Sequence, residues 1–342
     1  MELIYYLQNG IMCNELPEGY DMFYIIEDID MKHTTTNYYY HGDNIQYTLD
    51  SLCVELYDVF QNKIFSSKDE YYKNYGLSPQ WIERAGLDSD LNISKDNLAM
   101  WFSVPIQVKM LELDITDRNL LSIYQEIDEK KYKYAYTADC QSLINTLQEL
   151  LCGIHSSFVA FYKHLCKLHN VPKMQEVYYE CGFESRMVYS FLYTFVIQTY
   201  STFDILTKIA YELENIRFVG NSYTKMASNH ILYGDKNRLR LDKVGTIFEK
   251  DRTISIIESL RHEIVHNATW EMNPKIFVST NNEKIIERYI LLPDFTEAGT
   301  LVTFKNRKRF FSEGKTVNEE LPLLYFDIMK KIQLTLERLN AL

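Results

Sequence analysis

One segment gathers most of the side chains able to do chemistry: Ser259-Leu260-Arg261-His262-Glu263-Ile264-Val265-His266-Asn267-Ala268-Thr269-Trp270. It supports two reactions. His262-Glu263-Ile264-Val265-His266 is an H-E-x-x-H run. On a helix this spacing sets two imidazoles one turn apart on one face, as a zinc ion requires, with Glu263 available as general base. Such a zinc peptidase needs a third protein ligand. The Gly and His that extend the motif in one protease class are replaced by Thr269 and Met272. Glu283 and Glu287 remain, and both fall in an expected hairpin, away from the histidine face. The second reaction needs no metal. Arg261 and His266 are separated by four residues. An imidazole can take the proton of an RNA 2′-hydroxyl, and a guanidinium can hold the phosphate bidentately. Attack of that hydroxyl leaves a 2′,3′-cyclic phosphate and a 5′-hydroxyl. Asn267 could orient an imidazole or the phosphate. A third reading makes these residues plain surface positions of a bundle helix, serving dimerisation or binding without turnover.

Placement discriminates among these readings. At 100° per residue, Ile257, Leu260, Ile264 and Ala268 form the core stripe of a helix over Thr253 to Trp270, capped near Asp251. Arg261 flanks that stripe, and His262 and His266 face away from it. Glu263 falls on neither side and is expected to be solvated. Two earlier long helices are expected, Ala138 to His169 and Ser185 to Glu214. The first carries Leu143, Leu147, Leu150, Leu151, Ile154, Phe158 and Phe161 on one face. Lys275 to Thr280 and Lys284 to Leu292 flank Asn281-Asn282 as a β-hairpin. A strand fits Leu301 to Phe304, and a last helix runs from Pro322 to Leu339, with Pro322 in its first turn. The first 135 residues form an N-terminal α+β region of unknown role. In it, strands fit Leu3 to Leu7 and Met22 to Ile26, and a helix fits Asn44 to Phe60. Ser66 to Asn92 is polar and turn-rich, and an edge strand with Pro105 fits Phe102 to Met110.

Arg261-His262-x3-His266-Asn267 resembles the signature of the HEPN superfamily, in which an Arg, a polar residue and a His sit on a late helix of an all-α bundle. The helix containing Tyr200-Ser-Thr-Phe-Asp204-Ile-Leu-Thr-Lys208 is similar to the preceding long helix of such bundles. The resemblance covers about Thr137 to Leu342. It implies a mainly α protein: a HEPN-like helical domain over 136–342 with a β-hairpin insertion. It also implies a metal-independent endoribonuclease of toxin or phage-defence type, acting as a homodimer without cofactor. In that reading His266 matches the catalytic His, Arg261 the catalytic Arg, and His262 the variable polar residue. Antitoxin-modified members carry a Tyr two residues after the His, where this chain has Ala268. An antitoxin or regulatory protein is a further partner that the resemblance implies. Some relatives bind RNA or protein without catalysis.

Composition bounds these readings. With 12 Gly and 7 Pro in 342 residues, helix breakers are about half as common as average, so long helices should dominate. The hydrophobic share of 46% is enough for a sizeable core. The net charge of −11 opposes nucleic-acid binding, but it is unevenly spread. Residues 1–235 hold 18 Lys and Arg against 32 Asp and Glu, while residues 236–342 hold 18 against 15. The basic segment includes Lys305, Arg307, Lys308 and Arg309 beside Phe304, Phe310 and Phe311, a mixture able to track a phosphate backbone and stack on bases. The six cysteines form no CxxC pair. Cys140, Cys152 and Cys166 are expected as small buried hydrophobes. The amino terminus lacks the features of a signal peptide, and the longest uncharged run, between Arg186 and Asp204, is too polar to span a membrane. A cytoplasmic protein is expected. No phosphate-binding glycine loop or G-x-S-x-G elbow is present.

Overall fold

The computed structural model describes residues 2–18, 24–29, 36–40, 45–67, 129–167, 177–216, 239–267, 271, 273–282 and 284–342. The turn-rich Ser66 to Asn92 stretch lies almost wholly outside the described residues. So do the Pro105 strand and Ala268, Met272 and Glu283.

The protein is mainly helical with two small antiparallel sheets. In chain order the elements are β1 (Glu2–Leu7), β2 (Met12–Cys13), β3 (Tyr24–Ile29), β4 (Thr36–Tyr40), α1 (Ile45–Ile64), α2 (Glu129–Leu165), β5 (Val177–Glu180), α3 (Phe183–Glu214), α4 (Arg252–His266), β6 (Ile276–Asn281), β7 (Lys284–Tyr289) and α5 (Val317–Asn340). The first sheet has the order β2-β1-β3-β4, the second β5-β6-β7. The hairpin expected around Asn281-Asn282 is β6–β7, and Asn282 takes the left-handed φ of 49° that a tight turn requires. Strand β5 was not legible in the sequence. It pairs with β6, Glu180 opposite Ile276.

The chain forms two compact units, each from three separate stretches. One comprises Met1–Thr48, Leu150–Phe203 and Lys243–Thr335. The other comprises Leu49–Glu149, Asp204–Asp242 and Leu336–Leu342. These boundaries do not coincide with a division at residue 135.

The first unit contains both sheets and α4. Its core is aromatic: the Phe158 and Tyr325 rings stack at 4.2 Å, and Tyr162 meets Phe158 edge-on at 5.4 Å. Ile257 and Leu260 of α4 line a small apolar cavity with Leu192, Phe195 and Val196 of α3 and Leu321 and Leu324 of α5. Within the uncharged run of α3, Thr194 and Thr202 donate their hydroxyls to the carbonyls of Ser190 and Gln198. Arg288 of β7 is buried with its guanidinium paired to Glu180 of β5 at 2.6 Å, which ties the edges of the second sheet together.

Two expectations change here. The last helix begins at Val317, so Pro322 lies inside it rather than in its first turn. A proline leaves the carbonyl four residues earlier without its helical donor. That carbonyl belongs to Asn318, and the Tyr162 hydroxyl donates to it at 2.7 Å. Leu301 to Phe304 forms isolated bridges instead of a strand, because Phe304 pairs with Arg307 across a two-residue turn. Lys305 and Asn306 occupy that turn with φ of 47° and 62°.

The second unit is held by polar contacts around an apolar seam of Leu49, Leu56, Phe60, Ile144, Leu147, Leu206 and Ile209. Tyr136 donates to the buried Glu212 at 2.6 Å. The Glu214 carboxylate accepts the backbone N–H groups of Arg240 and Leu241 at 2.8 Å. Cys140 and Cys166 are buried as expected, each in its own unit, but Cys152 is exposed. Leu151 and Ile154, on other faces of the same helix, take the interior instead. Among the described residues no helix is long and apolar enough to cross a membrane.

Candidate active site on helix α4

Helix α4 is fixed at its start, along its side and at its end. At the start, the Asp251 carboxylate accepts the backbone N–H of Ile254 at 3.0 Å, an N-cap that was legible in the sequence. The same carboxylate takes the Lys331 ammonium of α5 at 2.5 Å. Burial alone would push the Lys331 pKa down, but the Asp251 hydrogen bond and the surrounding negative charges raise it. Along the side, Gly299 lies so close to the Arg252 carbonyl that a Cβ would collide with it, and its φ of 80° also favours glycine. Ser259 donates to the Gly299 carbonyl at 3.3 Å.

The end of α4 is held by Glu263. This carboxylate is only 2% exposed, which corrects the expectation of a solvated side chain. Its Oε1 accepts from Lys308 Nζ at 2.7 Å and from Asn267 Nδ2 at 3.0 Å, and its Oε2 lies 3.6 Å from Arg309. Arg309 also donates to the carbonyl of Asn267, the C-cap residue, at 2.7 Å. Burial pushes the Glu263 carboxyl up, but the hydrogen bonds from Lys308 and Asn267 and the two positive charges outweigh it. Its pKa ends below the usual 4.5. The segment that supplies Lys308 and Arg309 is anchored in turn. Asp294 accepts from Ser312 N at 2.7 Å, Ser312 Oγ at 2.5 Å and Glu313 N at 3.0 Å.

The opposite side of α4 points outward. His262 and His266 are exposed. Their rings lie 5.0 Å apart, inclined at 50°. Arg261 places Nη1 3.1 Å from His266 Nε2. A guanidinium has no acceptor, so in this contact Arg261 donates and His266 Nε2 accepts. The Arg261 guanidinium carbon also sits 5.0 Å from the centre of the Tyr200 ring on α3, a cation–π contact that fixes its direction.

The expected site residues therefore separate into groups. Arg261, His262 and His266 come together on one exposed face. Asn267 lies at the end of the same helix, but its amide serves Glu263 rather than an imidazole or an open phosphate site. Of the four basic residues expected to bind RNA, Lys308 and Arg309 turn inward to Glu263. Lys305 lies 5.4 Å from the Phe304 ring and, like Arg307, is exposed at the turn. Sequence reasoning missed Tyr200 as a neighbour of Arg261, Asp294 as an anchor and Lys331 as a support for the cap. Only the Glu263/Asn267 spacing of four residues carried a local signal.

For zinc, His262 and His266 supply two nitrogens. Among the described residues no group of three His, Cys, Asp or Glu is placed to hold a metal ion. The Nε2 lone pair of His266 is taken by Arg261, and Glu263, which would be the base, is bound to Lys308. Glu287 lies on strand β7. Among the described residues the donor set does not complete a zinc-peptidase centre. Compared with family models, curated protein sequences and solved structures, the chain matches none.

Proposed function

We propose that this protein is a metal-independent endoribonuclease of the HEPN type, acting in a toxin or phage-defence role as a homodimer. The observation that carries the reading is the Arg261–His266 pair at 3.1 Å, displayed on an exposed helix face. A cation able to grip a phosphate lies within hydrogen-bond distance of a neutral imidazole able to take a proton. RNA cleavage by internal attack needs those two functions.

In the free protein the guanidinium occupies the lone pair that the base needs. An incoming phosphodiester offers Arg261 two anionic oxygens, a stronger acceptor than a neutral ring nitrogen. Arg261 then moves onto the phosphate and His266 Nε2 becomes free to accept the 2′-hydroxyl proton. Tyr200 keeps the guanidinium beside the helix during this exchange. The exposed Lys305 and Arg307 extend the positive surface from the turn next to α4, while Lys308 and Arg309 stabilise the helix end. Compact polar packing at Glu263 supports a rigid platform, which catalysis by positioning requires.

The test is incubation of total RNA with purified protein in EDTA, comparing wild type with an Arg261→Ala, His266→Ala double variant. Wild type should yield fragments with 2′,3′-cyclic phosphate ends, and the double variant should not. Equal RNA degradation by both would sink the reading.

A further inference from the structure

The reaction just described uses one imidazole, yet the exposed face presents two. We infer that His262 is the general acid, protonating the 5′-oxygen that leaves when the 2′-oxygen attacks. This assignment rests on the endoribonuclease reading and adds to it a second catalytic residue from the same helix turn.

Geometry carries the assignment. Internal attack on RNA is an in-line displacement, so the attacking and departing oxygens lie on opposite sides of phosphorus. Acid and base must flank one phosphate. The two rings stand one helical turn apart with centroids at 5.0 Å, and neither is buried. The residues also differ in what touches them. Arg261 donates to His266 Nε2, so in the free protein that nitrogen already acts as an acceptor. That is the starting state of a base. Among the described residues the His262 ring has no hydrogen-bond partner, so it is open to a leaving oxygen. Its nearest ring is the imidazole that gains the proton.

The step balances. The 2′-hydroxyl proton passes to His266 Nε2 and the O2′–P bond forms. The P–O5′ bond breaks, and O5′ takes a proton from His262. The products are a 2′,3′-cyclic phosphate and a 5′-hydroxyl, with His266 left protonated and His262 neutral. Exchange with water restores both. Arg261 stays on the non-bridging oxygens throughout. One chain thus supplies base, acid and phosphate clamp from six consecutive residues.

A leaving group that needs no proton tests this directly. A bond that wild-type protein cuts is built into a short oligoribonucleotide in two forms, one with the natural 5′-oxygen and one with a 5′-bridging sulfur, whose thiolate departs unprotonated. On the oxygen substrate His262→Ala should be slower than wild type by about 100-fold or more. On the sulfur substrate it should recover to within about tenfold of wild type. His266→Ala should stay slow on both, because the nucleophile still lacks its base. His262 is exposed, so both variants should keep wild-type thermal unfolding. If His262→Ala matches wild type on the oxygen substrate, or is equally slow on both, His262 is not the acid, while the dependence on His266 still stands. If wild type cuts no RNA at all, the endoribonuclease reading itself falls.

Discussion

The two sides of helix α4 treat charge in opposite ways. On one side Glu263 is shut away from water, met by Lys308, Arg309 and Asn267, and its pKa is held below the usual value. On the other side Arg261 is only part-buried, His262 and His266 stand exposed, and none of the three is met by a carboxylate among the described residues. A buried carboxylate without partners would cost several kcal/mol or take up a proton. The buried side is therefore fully paired and belongs to stability. The exposed cation and imidazoles carry no such penalty and remain available to a phosphate. Residues two positions apart on one helix thus do different jobs because the helix turns them into different dielectrics.

That contrast can be broken by substitution. The largest effect should come from Arg261→Ala, which is expected to lower RNA cleavage by about 100- to 1,000-fold, the usual cost of losing one donor to a developing oxyanion. Its unfolding free energy in urea should stay within about 1 kcal/mol of wild type, the cation–π contact with Tyr200 being the main loss. A large stability loss in that variant would mean that the outward side is structural after all. Glu263→Ala should behave in reverse, losing about 2 kcal/mol of stability by chemical denaturation. The figure sits below that of a fully buried pair because the Lys308 side chain remains 34% exposed. Activity should follow only as far as the helix end loosens.

pH offers a smaller and finer probe of the same contrast. A carboxyl with a depressed folded pKa adds stability that is complete above its unfolded value and disappears as pH falls through the folded one. For Glu263 the window therefore opens below the ordinary 4.5. The stability gap between wild type and Glu263→Gln should be constant near neutrality and shrink below that point. A gap that does not vary with pH would show that the ion pairs contribute nothing. In the other unit Asp139 has the opposite sign. Burial and then the charge of Glu212 raise its pKa to about 6. Its folded form binds the proton more tightly, so Asp139→Asn should add stability above pH 6 and little below about pH 4. The smallest effect should be that of Tyr200→Leu. Loss of a cation–π contact at a part-exposed site is worth about 0.5–1 kcal/mol, a few-fold weakening of RNA binding with little change in turnover.

Local rules made much of this legible. The apolar spacing of Ile257 and Leu260 placed the buried stripe of α4, Asp251 marked its cap, and Asn281-Asn282 marked the hairpin. The outward direction of His262 and His266 followed from the same helical wheel. What was misread was non-local. Glu263 looked solvated because its partners, Lys308 and Arg309, lie more than forty residues away. The same distance made those cations look free for RNA. Pro322 looked like a helix start because the donor that replaces its missing hydrogen bond, Tyr162, is on another helix.

The sequence by itself determined that α4 forms, where it begins and which residues it turns outward, since these depend on spacing and side-chain volume within a few turns. Only the tertiary structure decided which charges are spent on stability and which stay exposed. Ion pairing depends on which distant segments the fold brings within about 4 Å, and a carboxylate's partners are set by that proximity, not by its neighbours in the chain.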